Sequence, residues 1–141
     1  MNQNTYVLDQ QVGYLLRKAY QRHLAIFQQN IGSPQLTSVQ FTVLYTVNLL
    51  GHCSQKELVE STAIDQATIR GIVERLIKRE LLLQSQDAID KRKVKIHITE
   101  LGKITLAEAT EKAQLISSKT LEILNPAEQL ALLYLLKKLS E

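Results

Sequence analysis

The chain has 141 residues, of which 45% are hydrophobic and 22% charged, with a formal net charge of +3. That suits one globular domain with extensions, excludes a disordered chain, and pulls only mildly towards polyanions. The single Cys53 excludes an internal disulfide, no apolar run reaches the ~18 residues of a membrane span, and MNQNTYVLDQQ lacks a signal peptide's blocks, so a cytoplasmic protein without membrane contact is expected.

Two prolines and five glycines point to long helices. The first is predicted from Leu8 to about Asn30, where Leu8, Val12, Leu15, Ala19 and Ile26 form a stripe widened by Leu16 and Phe27. Gly32-Ser33-Pro34 breaks it. Thr37, with Gln40 three residues on, opens a second helix through a capping box. Phe41, Val43, Leu44, Tyr45, Val47 and Leu50 make that helix apolar on most sides, so it should be largely buried until Gly51 ends it.

Ser54 and Glu57 form another capping box, which starts a short helix carrying Leu58, Val59 and Ala63. A tight link, Ser61-Thr62-Ala63-Ile64, stands where a turn glycine is usual. The next helix, Asp65 to Arg79, is capped by Asp65 and lays Ile69, Ile72, Val73, Leu76 and Ile77 along one face. Its opposite face carries Ala67, Gly71, Glu74 and Lys78, flanked by Thr68, Arg70 and Arg75. Glycine within a helix costs roughly 1 kcal/mol against alanine. Gly71 therefore implies a close approach, either to DNA base edges or to a neighbouring helix.

Leu81–Gln86 and Val94–Ile98 read as two strands, the second strictly alternating, and the polar segment between them as a hairpin tip with Lys91, Arg92 and Lys93. From Arg70 to Lys95 the chain holds eight Lys or Arg and four Asp or Glu, so that segment carries +4 and the remainder about −1. Thr99 caps a long helix to about Leu124, with Leu101, Ile104, Ala109, Ala113 and Ile116 as its main apolar positions. Asn125-Pro126-Ala127-Glu128 restarts the chain. The last helix, Gln129 to Leu139, has six leucines and a tyrosine in eleven residues, and a partner subunit is the simplest cover for it.

This order is mainly α with a small β-hairpin wing (α+β), a winged helix-turn-helix. The stretches LTSVQFTVL, QKELVESTAIDQATIRGIVERLIKRELL and DAIDKRKVKIHITELGK resemble the MarR family of transcriptional regulators over nearly the whole chain. The D-x-R wing followed by an apolar-T-x-x-G run is the most specific part. The resemblance implies a single MarR-type domain spanning 1–141, with a DNA-binding lobe at 37–99 and dimerisation helices at 6–31 and 100–141. It also implies a homodimer with interlocked first and last helices, recognition helices in successive major grooves and wings in the flanking minor grooves.

Asp90 and Arg92, two apart, point to one side of an extended segment, so the carboxylate can brace a guanidinium suited to a narrow minor groove. The alternative is a solvated surface ion pair. Lys91 and Lys93 suit phosphate. Gln66, Thr68 and Arg70 are candidates for base edges, and Gln55 and Lys56 for phosphate. Arg75 either joins them or pairs with Glu74 or the wing. The DNA-facing set is thus Gln55, Lys56, Gln66, Ala67, Thr68, Arg70, Gly71, Arg75, Lys78, Asp90, Lys91, Arg92 and Lys93.

MarR-like proteins commonly answer to small aromatic acids, and VGYLLRKAYQRHLAIF looks like the branch responding to nicotinate-type or other aromatic acids. Tyr14, Arg17, Tyr20, His23 and Tyr45 would supply stacking and a carboxylate anchor. The alternative makes the tyrosines packing residues and His23 a satisfied interface histidine. Cys53 stands away from the start of the first helix, where redox-sensing relatives carry theirs, and reads as a small core residue. Catalytic motifs are lacking, and three scattered histidines with one cysteine make no metal cluster, so no enzyme activity, metal or cofactor is expected.

The expected function is a sequence-specific DNA-binding transcriptional regulator, a repressor released by a small aromatic carboxylate, acting as a homodimer on a pseudo-palindromic operator. A redox-responsive regulator using Cys53, and a protein-interaction module on the same fold that does not bind DNA, stand as alternatives.

Overall fold

Six α-helices and three short strands form the computed structural model, which describes residues 5–33 and 35–141. Pro34 and the first four residues, used above for the helix break and the missing signal peptide, lie outside them. The continuous helix expected from Leu8 is instead a single 3-10 turn, Leu8–Gln10, followed by α1, Val12–Ile31. Gln11 separates them in an extended conformation, and its side-chain amide donates to the Val7 carbonyl at 3.0 Å, which satisfies the interruption.

Helix α2, Ser38–Leu50, opens on the expected capping box: Thr37 Oγ1 accepts from Gln40 N–H and Gln40 Oε1 accepts from Thr37 N–H, each at 3.1 Å. Val43, Leu44 and Val47 are fully buried, but Tyr45, Leu49 and Leu50 are exposed. The expectation of burial on most sides is corrected: the packing partners of α2 leave one face of it open in the single chain.

After Gly51 comes a strand the sequence did not reveal, β1, His52–Cys53. Two residues are too few to display alternation. Helix α3, Gln55–Thr62, starts on the Ser54–Glu57 capping box. Ala63 then adopts a left-handed conformation, φ 56° and ψ 23°, where the turn usually has glycine. An alanine there costs about 1 kcal/mol, offset by the bond from its N–H to the Val59 carbonyl at 3.0 Å. Helix α4, Gln66–Lys78, begins at Asp65, which accepts from the Thr68 N–H at 2.9 Å and the Thr68 hydroxyl at 2.7 Å.

Strands β2, Leu82–Gln86, and β3, Val94–Ile98, form the hairpin. The sheet is antiparallel in the order β1-β3-β2, with Cys53 opposite Ile96 and Gln84 opposite Ile96 on the other side. Ile96 is fully buried and meets a core of Leu44, Val47, Leu58, Ile69, Val73 and Leu76. The lobe is thus sealed by one face of α4, the inner residue of β3 and the buried edge of α2.

Thr99 Oγ1 caps α5, Glu100–Leu121, by accepting from Gly102 N–H at 2.9 Å. A side chain on Gly102 would collide with the Leu81 carbonyl, so this glycine lets the helix sit directly on the hairpin's entry. That contact fixes the helix rotation. Gly102, Thr105, Leu106, Ala109 and Ile116 face inward, while Leu101 and Ile104, expected as apolar anchors, are 49% and 58% exposed. The helix ends at Leu121 rather than Leu124, and Gln129 Nε2 donates to both carbonyls, at 3.1 and 3.0 Å. Helix α6, Pro126–Ser140, follows another capping box and buries no residue.

Candidate nucleic-acid interface and effector cleft

The outward side of α4 exists because its other side is consumed by the core. Ile69, Ile72, Val73 and Leu76 are buried, and Gln66, Ala67, Thr68, Arg70, Arg75 and Lys78 are exposed. A Cβ built on Gly71 meets nothing within 4 Å, so the helix-packing explanation of this glycine finds no neighbour among the described residues. Thr68 donates its hydroxyl proton to the cap, leaving its oxygen lone pairs and methyl for outside contacts. Among the described residues the side-chain ion pairs are Asp90–Arg92, Asp87–Lys95 and Glu100–Lys103, so Arg75 has neither Glu74 nor the wing as a partner.

The start of α3, the outer face of α4 and the base of the wing enclose a cleft of about 1010 Å³. Gln55, Lys56, Arg70, Lys78, Arg92 and Lys93 line it together. Gln66, Ala67, Thr68, Gly71, Arg75, Asp90 and Lys91 are not on its wall. The cleft also takes Lys95 and Gln84, which the sequence reading missed, although strict alternation in β3 already separated Lys95 from the inward Ile96. Cations outnumber the carboxylates Glu57 and Glu74 around it. An anionic, convex ligand with regularly spaced charges suits such a surface.

The wing tip corrects the expected geometry around Asp90. The segment is a tight turn rather than an extended strand: Lys93 N–H donates to the Asp90 carbonyl and Asp87 N–H to the Lys93 carbonyl, both at 2.9 Å. Asp87 Oδ1 accepts from the backbone N–H groups of Ile89 at 2.8 Å and Asp90 at 3.2 Å. These two donors hold the Asp87 carboxyl below the usual carboxylate range. Asp90 Oδ1 accepts from Arg92 N–H at 3.1 Å and lies 3.5 Å from its Nε. The turn therefore braces Arg92 by a route other than strand alternation, and leaves the arginine side chain 94% exposed.

At the other end, α1, α5 and α6 border an apolar groove of about 660 Å³, lined by Val12, Leu15, Leu16, Tyr20, His23, Leu132 and their neighbours. His23 Nδ1 shares a hydrogen bond with Thr120 Oγ1 at 2.8 Å, and Arg22 donates to the Thr120 carbonyl at 2.8 Å. Burial lowers the His23 pKa and favours the neutral imidazole. Five rings follow one another from this groove into the lobe: Tyr20, His23, Phe27, Phe41 and Tyr45, with centroids 6.2–6.4 Å apart. Of the expected effector residues, Tyr20 and His23 line the groove and Tyr45 ends the ring file. Tyr14 lies off the groove wall with Lys18 Nζ 5.6 Å from its ring centroid, and Arg17 is exposed elsewhere.

Cys53 is buried, and burial, with Glu57 adding to it, pushes its thiol up to about 11. Such a thiol is almost wholly protonated at neutral pH, which removes the nucleophile a redox switch needs. No helix among the described residues is long and apolar enough to cross a membrane.

Known proteins share this fold. The MarR family model matches residues 36–94. The HTH-type transcriptional repressor NicR of Pseudomonas putida is 50% identical over 139 residues, covering 99% of this chain and 88% of that protein. A structure from work on the regulation of DNA binding of Bordetella bronchiseptica BpsR by 6-hydroxynicotinic acid is 47% identical, with a TM-score of 0.90 over 97% of this chain and 98% of the other. The transcriptional repressor CouR bound to a 23-mer DNA duplex is 26% identical, with a TM-score of 0.85 over 95% of each chain.

Proposed function

Since the chain belongs to the MarR family of transcriptional regulators, we propose that it represses transcription as a homodimer on a pseudo-palindromic operator and is released by a small aromatic acid. It is a DNA-binding regulator and not an enzyme. The observation that carries the reading is the cationic cleft, in which Lys56, Arg70, Lys78, Arg92 and Lys93 converge from three separate elements. In this reading residues 37–99 form the DNA-binding lobe. Gln66, Ala67, Thr68, Arg70 and Gly71 approach base edges, and Arg92, braced by Asp90, enters the minor groove. Gln55, Lys56, Arg75, Lys78, Lys91 and Lys93 hold phosphates.

Dimerisation is assigned to residues 6–31 and 100–141. Support comes from the apolar side chains those segments leave exposed, among them Val12, Leu15, Leu130, Leu133, Tyr134 and Leu139. For the effector we propose a seat on Tyr20 and His23, where stacking and an imidazole are available beside an apolar wall. A hydroxylated pyridine carboxylate is the first compound to test, because that is the ligand class named for BpsR.

Genomic footprinting by the purified chain tests the first half. Protected palindromes whose half-sites lie about 34 Å apart are expected, and binding should fall ~10³-fold or more between about 50 and 200 mM salt. Equal affinity for unrelated duplexes at all salt concentrations would defeat the operator reading. Adding 6-hydroxynicotinic acid and related acids to the bound complex tests the second half.

A further inference from the structure

We propose that Ile89 is an apolar wedge at the tip of the wing, entering the flanking minor groove beside Arg92 and packing between the edges of one base step. The inference rests on the operator reading above. Ile89 is 97% exposed, the most exposed of the large apolar side chains among the described residues. Many others lie on the terminal helices assigned to the dimer, whereas Ile89 sits at the opposite, cationic end, within reach of Lys91, Arg92 and Lys93.

A floppy loop would let such a side chain fold back onto the hairpin. The backbone of this tip is tied down instead. Asp87 accepts from the Ile89 N–H itself, and the 87–93 segment is closed by hydrogen bonds at both ends. The backbone that carries the isoleucine is ordered in advance, so only its side chain has to be ordered on contact. Protein partners fit poorly, since one isoleucine and Ala88 are far too small for an interface of roughly 1,000 Å² or more. DNA fits better, because the 87–93 tip sets Lys91, Arg92 and Lys93 against Asp87 and Asp90, both of whose carboxylates are engaged within the wing, and apolar side chains such as isoleucine pry open base steps from the minor groove. Pyrimidine–purine steps unstack most readily, so the wedge would favour TA or CA at that position without any hydrogen bond to a base.

The test uses the 141-residue chain and the tightest duplex it selects from random sequence, with 2-aminopurine placed in turn at each flanking position. Ile89→Asn should weaken binding about tenfold. The slope of log K against log salt should stay unchanged, and the 2-aminopurine signal in the flank should drop to that of free duplex. Ile89→Leu should restore both. Wild-type affinity for Ile89→Asn, an altered salt slope, or no rescue by leucine would overturn the wedge. Arg92→Ala is the companion variant. If it loses affinity while Ile89→Asn does not, the wedge alone fails. If neither variant changes binding, the wing does not touch DNA and the operator reading fails at that element.

Discussion

Replacing Gly71 and Gly102 by alanine, one at a time, should move stability in opposite directions although both glycines lie in helices. At Gly71 an added Cβ meets open space. The change then keeps only its helix-propensity gain, about 1 kcal/mol, or a rise of about 2–4 °C in Tm for a chain of this size. At Gly102 the added carbon would strike the Leu81 carbonyl oxygen and come within 2.7 Å of the Ile98 side chain. That carbonyl cannot retreat freely, because it accepts from Thr99 N–H at 3.1 Å and the Thr99 hydroxyl at 3.2 Å. Overpacking against backbone costs ~1–3 kcal/mol. Because broken cap bonds add to it, a net loss of about 2 kcal/mol and a fall of about 4–8 °C are expected. Calorimetry reads both variants. Binding separates them again: Gly71→Ala, the more stable protein, should bind its operator about tenfold more weakly, ~1.4 kcal/mol, because in the proposed docking the methyl group stands where helix and base edges approach. A fall in Tm for Gly71→Ala would mean that something packs there, and unchanged operator affinity would remove the close-approach argument.

Arg92→Ala should cost about 1–3 kcal/mol of operator binding and make the salt dependence shallower by about one phosphate equivalent. It should leave the melting temperature alone, since its exposed pairing with Asp90 at 3.5 Å contributes little to folding. Cys53, with a thiol at about 11 against an ordinary 9.0, should react with iodoacetamide at least about a hundredfold more slowly in native than in unfolded protein, reflecting its smaller thiolate fraction. Native reactivity equal to the unfolded chain's would revive the redox alternative. For the wing, the Asp87 carboxyl is held below its ordinary range, so its contribution is present above that range and is lost as pH falls through the lowered value. Amide protection of Ile89 and Asp90 should therefore persist at about pH 4–5 and disappear only in stronger acid, which exchange measured by NMR can follow.

The sequence was legible wherever a local rule acted alone. The capping boxes at Thr37, Ser54 and Asn125 and the cap at Asp65 appear where side-chain spacing placed them, because a cap needs only its own three or four residues. The stripe on α4 was legible for the same reason. Long-range contacts were not. Leu101 and Ile104 are as apolar as Leu106 and Ile116, and the sequence gives no reason to prefer one pair. The Gly102 contact with Leu81 decides it by rotating the helix. The strand at His52 exists only because β3 has a free edge there. The cleft was half legible: α4 and the wing announced their charges, but Lys95 and Gln84 join only once the hairpin folds beside α4. For the effector residues, periodicity placed Tyr14, Arg17, Tyr20 and His23 on one helix but did not decide which would meet α5.

The ring file sets a physical condition on the proposed release mechanism. A compound seated on Tyr20 and His23 touches α1, and His23 is tied to α5 through Thr120, so two of the three helices that border the groove feel it at once. Phe27, Phe41 and Tyr45 continue the file into α2, which packs on both α3 and α4. Phe27, the buried ring at the middle of the file, transmits displacement because packed interiors have little slack, whereas Tyr20 and Tyr45 at its ends are about half exposed. Release nevertheless requires that the compound bind the DNA-incompatible spacing more tightly than the compatible one, since equal affinity for both would shift nothing however tightly it bound. Moving a population from mostly bound to mostly free takes a preference of about 10⁴, or ~5.5 kcal/mol. If one aromatic acid per groove contributes only part of that, two equivalent grooves in the proposed dimer contribute twice the same difference. Two-site occupancy is thus the condition under which so small a ligand can clear the operator.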